Sequence, residues 1–354
     1  MEKQRTGQRV VYADLLRIAA MAAVIVLHVC GNNWQGEDIH SLDWHLLNVF
    51  DSLVRWCVPV FVMLSGMFFL DPGRNVTYRS IFTKKLLRVF TAYVFWSVLY
   101  AAFTALLAWR GGTPETPLQI WLDVVYGHYH LWFLYMIMGL YLFSPILRRF
   151  ISAASRRDLE YFLVLYFIFT LLMPAFHGVP GLQVLGNVSY RLDIQALGGY
   201  VGYFVAGYYF SHYELKPRTV RIFYVLGLLG LACTMGLTVL SSLEWQAPNE
   251  KWYQYFTPNV GLMSFAIFLF FKNKVTGKHL GQRGLRLCRQ VAEYSFGIYL
   301  VHAFFNNRLV SLGLDAVTFT PLVAVPLATV LVFLASYLAI WLLAKIPWFR
   351  KYCM

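Results

Sequence analysis

Residues 10–30, from Val10 to Cys30, read VVYADLLRIAAMAAVIVLHVC. A helix that crosses a bilayer needs about 20 mostly apolar residues, and this run supplies them. It also carries Asp14, Arg17 and His28. An Arg or Asp at the centre of a span costs about 2.5–3.5 kcal/mol on insertion scales, so a charge placed there marks function by default. At about 100° per residue, the path from Arg17 to His28 returns to within about 20° of the same helix face. Asp14 precedes Arg17 by one helical turn and neighbours it there. The stripe rises about 16 Å at about 1.5 Å per residue. One wall of a polar passage through a membrane has this form. The plainer alternative is a helix end with two snorkelling charges and a hydrogen-bonded core histidine.

Outward from this stretch, apolar runs recur along the whole chain. Of 354 residues, 59% are hydrophobic and 13% charged, against about 25% charged in a soluble domain. This excludes a soluble protein and predicts a single integral-membrane unit over residues 1–354. The start MEKQRTGQR is basic. The run behind it is too long for a signal-peptide core and lacks a small-residue cleavage site, so the first span is expected to remain. Hydropathy predicts ten spans, near 10–30, 47–70, 86–108, 130–147, 160–176, 195–212, 220–241, 256–272, 291–309 and 319–345. The expected fold is therefore an all-α polytopic transmembrane helix bundle. The sixth span, LGGYVGYFVAGYYF, is short and rich in glycine, which lets helices approach closely. The ninth is polar at both ends.

The net charge is +13, but its distribution does not suit nucleic acid. With the N-terminus in the cytoplasm, 24 of the 30 basic residues fall in alternate segments. They include Lys3, Arg5 and Arg9 at the start and Lys345, Arg350 and Lys351 at the end. Only Arg110, Arg191, Lys251 and Arg308 fall outside, and Arg17 and Arg55 lie within spans. The positive-inside bias thus supports ten spans with both termini cytoplasmic. The five cysteines show no metal spacing, and no metal is expected. The loop near 242–256 is rich in Trp and Tyr. Such rings form an interfacial belt or stack on sugars.

Several residues offer chemistry. Asp51 and Arg55 form an i,i+4 pair in the second span, read either as a packing ion pair or as part of a site. Pro59 is expected to kink or locally break that helix. Lys84, Lys85 and Arg88 open the third span at the cytoplasmic face. His128 and His130 stand beside Trp132 at the outer start of the fourth, without the carboxylates or thiolates of a metal set. The ninth span carries Glu293, then Tyr294, Tyr299 and His302 deeper in. His302 is either a packed core residue or a partner of the site.

Together these segments resemble the acyltransferase 3 family of membrane O-acyltransferases. The family signature of a basic residue, ten residues and a histidine is matched by Arg17 to His28. The likeness continues in RWCVPVFVMLSGMFFL, in Lys85-Leu-Leu-Arg88 (similar to the family's R-x-x-R), in YHLWFLYMIMGLYLFSPIL and in EYSFGIYLVH. YHLWF and LYLFSPIL look most like the subgroup that acetylates the enterobacterial common antigen. Lys85 departs from the family's Arg and lacks its planar fork.

The resemblance implies transfer of an acyl group, acetyl first, from cytoplasmic acyl-CoA to a hydroxyl of an envelope glycan or glycolipid, in the inner membrane of a bacterium. Acetyl-CoA is then a substrate, and no permanently bound cofactor is implied. His28 is expected to act as base or as acyl relay, with Arg17 and Asp14 on its face. Arg17, Lys84, Lys85 and Arg88 are expected to hold the CoA phosphates. Arg55, Trp34, His130, Trp132 and His302 are the expected acceptor residues. The competing class is a transporter, since charged spans and a kinked helix also suit a carrier with a midplane site. The chain shows no inverted repeat.

Overall fold

A computed structural model describes residues 10–74, 76–179, 181–192 and 195–354. The basic residues Lys3, Arg5 and Arg9 lie outside them. The long helices are α1 (Val11–Trp34), α2 (Leu42–Val54), α3 (Cys57–Phe69), α4 (Leu87–Arg110), α5 (Pro117–Tyr126), α6 (Trp132–Ala153) and α7 (Arg156–Tyr166). They continue with α8 (Gln183–Leu192), α9 (Gln195–His212), α10 (Pro217–Trp245), α11 (Pro258–Lys274), α12 (Gln282–Ser311), α13 (Pro321–Leu343) and α14 (Pro347–Tyr352). No strand occurs among the described residues. The protein is an all-α polytopic bundle, and eight of its helical passes are long and apolar enough to cross a membrane.

The two other expected spans are also helices, α9 and α12. Both line up inside the bundle, which explains their weaker apolar signal. Residues 203–210 of α9 are buried, and α12 packs against α1 and α13. A helix surrounded by protein has no need to be apolar all round.

The central element is α1, which touches α2, α3, α11, α12 and α13. The second span takes the broken form of the two expected, as two helices interrupted at Arg55 and Trp56. Pro59 is the cause. Its ring collides with the carbonyl of residue 55 and it lacks an N–H, so the helix must restart just before it. Lys84 and Lys85 lie in a π-helical turn, Ile81–Leu86, that leads into α4. Cys30 and Cys57 are buried free thiols.

Candidate active site

Two polar stripes meet in the bundle. On α1, Asp14 and Arg17 face a cavity, and His28 and Asn32 extend the line. On α12, Ser295 and Tyr299 line the same cavity, and His302 and Asn306 follow at one-turn spacings. Asn306 fixes the register of the two helices. Its Nδ2 donates to the His28 carbonyl at 3.3 Å and to Asn32 Oδ1 at 3.3 Å.

The cavity encloses about 570 Å³. Arg17, Arg74, Lys85 and Arg88 give it four cations, set against Asp14 and Glu293. Its inner walls are aromatic, with Phe61, Phe133, Tyr141 and Tyr299. Arg148 carries Arg74 into place by donating to the carbonyls of Phe69, Asp71 and Arg74 at 2.5, 2.9 and 2.8 Å. The Arg74 guanidinium then lies 4.7 Å from the Phe68 ring centroid. Arg88 Nε donates to the Met354 backbone oxygen at 2.8 Å, and Glu293 pairs with Arg350 at 2.6 Å.

Behind the inner wall stand four imidazoles. The His28 ring is 5.1 Å from that of His302, His302 is 5.2 Å from His130, and His130 is 5.1 Å from His128. The His128–His130 turn follows Gly127, which ends α5 at φ 73°, a left-handed value that favours glycine. A Cβ there would also meet the Tyr93 hydroxyl at 2.8 Å. Tyr93 and Tyr135 both donate to the Val125 carbonyl and pin this turn. Tyr100 stacks on His128 at 4.4 Å. Among the described residues no group of three or more His, Cys, Asp or Glu is arranged to hold a metal ion.

Tyr299 separates the cavity from the histidines. Its ring lines the cavity yet lies 5.6 Å from both His130 and His302. Its hydroxyl donates to the His130 carbonyl. Tyr299 thus borders both a cation-rich cavity and an imidazole cluster.

A family model described as an acyltransferase domain matches residues 10–341. The chain belongs to the acyltransferase 3 family. No curated protein and no solved structure shows a significant match to it.

In this acyltransferase 3 chain the structure brings together Asp14, Arg17, Lys85 and Arg88 at the cavity, and His28, His130 and His302 in the cluster. Other expected residues are placed elsewhere. Lys84 is exposed and is not a cavity residue. Trp34 is 2% exposed, wedged against Trp44 and Tyr253, so it presents no face to a sugar. Trp132 is exposed and joins Tyr200 and Tyr255 in an aromatic group. Arg55 pairs with buried Asp51 and lies 3.9 Å from the Tyr253 ring centroid. Asp51 Oδ1 and Arg55 Nε are buried without a hydrogen-bond partner among the described residues, so the pair is incompletely satisfied as a packing device. Tyr294 turns away and packs on Tyr337. Sequence reading did not single out Arg74, Tyr100, Tyr141 or Asn306. Only the one-turn spacing of Tyr299, His302 and Asn306 signalled the last of these.

Proposed function

We propose that this acyltransferase takes an acyl group, acetyl first among candidates, from cytoplasmic acyl-CoA and passes it to a hydroxyl of an extracytoplasmic or lipid-linked glycan. The membrane is taken to be the inner membrane of a bacterium. The observation that carries this reading is the cavity of about 570 Å³ lined by four cations and by Tyr299, whose ring lies 5.6 Å from His302, itself 5.1 Å from His28. That volume is in the range of about 300–1,000 Å³ usual for small-molecule sites.

In this reading Arg17, Arg74, Lys85 and Arg88 hold the phosphates of CoA through charge-assisted hydrogen bonds. The thin pantetheine arm points inward along α1 and α12. For the thioester to meet His28, the Tyr299 ring has to rotate out of the path. A thioester already has a good leaving group, so the remaining need is a base for the acceptor hydroxyl. His28 serves either as that base or as an acyl carrier, two roles open to an imidazole. The acceptor approaches from the opposite end, past Trp132 and His130. The likeness of YHLWF and LYLFSPIL makes enterobacterial common antigen the first glycan to try.

The test is to incubate the purified protein with labelled acetyl-CoA and candidate glycans, followed by mass spectrometry. Label on a glycan hydroxyl is expected. Intact donor and unmodified glycans across the panel would refute the assignment. A carrier has no reason to cleave acyl-CoA, and membership in an acyltransferase family favours the enzyme.

A further inference from the structure

We infer that His302 is the base that removes the proton of the acceptor hydroxyl, while His28 carries the acyl group beside it. This rests on the acyl-transfer reading above and assigns the proton steps within it.

A carbonyl oxygen can only accept, so an imidazole nitrogen bonded to one must carry hydrogen. His302 Nδ1 lies 2.5 Å from the Tyr299 carbonyl oxygen. The proton is therefore on Nδ1, and Nε2 keeps its lone pair. That nitrogen is buried and has no hydrogen-bond partner among the described residues, in a residue that is 0% exposed. Buried polar atoms are nearly always paired, so an orphan one asks for an explanation. A substrate hydroxyl is a fitting partner, because it donates where Nε2 accepts.

The same reasoning removes His130 from the role. Its Nε2 faces the Leu300 carbonyl at 3.3 Å and must donate there. Its Nδ1 then accepts from His128 Nδ1 at 3.0 Å. Both nitrogens of His130 are occupied, and His128 is fixed as the donor to it. His302 thus offers a vacant buried lone pair, with its ring 5.1 Å from that of His28.

The steps balance. A His28 ring nitrogen attacks the thioester carbon and the carbon–sulfur bond breaks. The proton on the other ring nitrogen of His28 passes to the departing thiolate, leaving acyl-His28 and free CoA thiol. The acceptor hydroxyl then gives its proton to His302 Nε2 as its oxygen bonds the acyl carbon. The carbon–nitrogen bond breaks, and His302 returns the proton to His28.

The test uses two half-reactions in the full chain. Exchange of labelled CoA into acyl-CoA reads the donor step, and glycan acylation reads the whole. His302→Asn keeps a donor towards the Tyr299 carbonyl but has no basic nitrogen. It should exchange CoA within a few-fold of the parent and lose about 10²–10⁴-fold in glycan acylation. His302→Gln should behave alike, and His28→Ala should lose both reactions. Glycan acylation by His302→Asn within threefold of the parent would show a structural role only and overturn the inference. A parent protein that acylates glycan without exchanging CoA would also overturn it, while leaving the acyl-transfer reading intact. Should both variants misfold, nitrogen-15 NMR of histidine-labelled parent protein decides. Hydrogen on His302 Nδ1 is expected, and hydrogen on Nε2 instead ends the proposal.

Discussion

The cations at the cavity differ in what holds them, and this sets how their loss should read. The backbone at Arg74 is held by three bonds from Arg148 to the loop, and its guanidinium lies 3.4 Å from Asp71 Oδ2 and 4.7 Å from the Phe68 ring centroid. Arg88 already donates through Nε, leaving its terminal nitrogens for a phosphate. Hydrogen bonds to charged groups contribute about 1.5–3 kcal/mol each. Arg74→Ala and Arg88→Ala should each weaken acyl-CoA binding about ten- to a hundredfold by that measure, read by calorimetry. Lys84→Ala should leave the affinity unchanged, because Lys84 is not a cavity residue. Equal losses at 84 and 88 would return the binding to general basic charge. His28→Ala should slow glycan acylation about 10²–10⁴-fold with donor affinity preserved, since His28 stands behind Tyr299 and not among the cations. Near-normal turnover in a folded His28→Ala protein would remove it from the chemistry.

At the scale of elements, α3 and α9 are held face to face by two glycines. A Cβ on Gly66 would lie 1.8 Å from the Phe204 carbonyl oxygen, and one on Gly207 would lie 1.9 Å from that of Met63. Both obstacles are backbone, which cannot step aside as a side chain can. Overpacking of a core typically costs about 1–3 kcal/mol, and a backbone clash belongs at the upper end. Gly207→Ala should therefore lower the melting temperature in detergent by several degrees. Gly236→Ala is the control, because nothing lies within 4 Å of its added Cβ and alanine favours the helix. Equal melting temperatures for the two variants would mean that the α3–α9 contact is looser than it stands here. The short glycine-rich segment of the sequence is thus a packing element, and its glycines explain why hydropathy alone rates it weakly.

Across the whole molecule, ten spans would put residue 73 and residue 250 on opposite sides of the membrane, since five of them lie between the two positions. Single cysteines introduced at Gly73 and Glu250, in a chain freed of its own cysteines, should label from opposite sides of the membrane, with residue 73 cytoplasmic. Labelling of both from one side would break the span count and its orientation. The sequence by itself determined the helical membrane class, the periodic stripe from Arg17 to His28 and the alternation of basic loops. Each of these depends on local spacing and hydropathy, which the order of residues contains. The interruption at Pro59 was legible as a kink or a local break, but the choice between them and its place at Arg55 and Trp56 needed the backbone. Lys84 could not be told from Lys85, because a π-helical turn shifts the angular spacing on which such counting relies. Trp34 looked available for a sugar until the fold wedged it against Trp44 and Tyr253. Arg74 and Asn306 reach the site through partners far away in sequence, Arg148 for the first and Asn32 for the second. Only the tertiary structure decided these, because contacts between distant segments form when helices pack and leave no periodic trace in either segment alone.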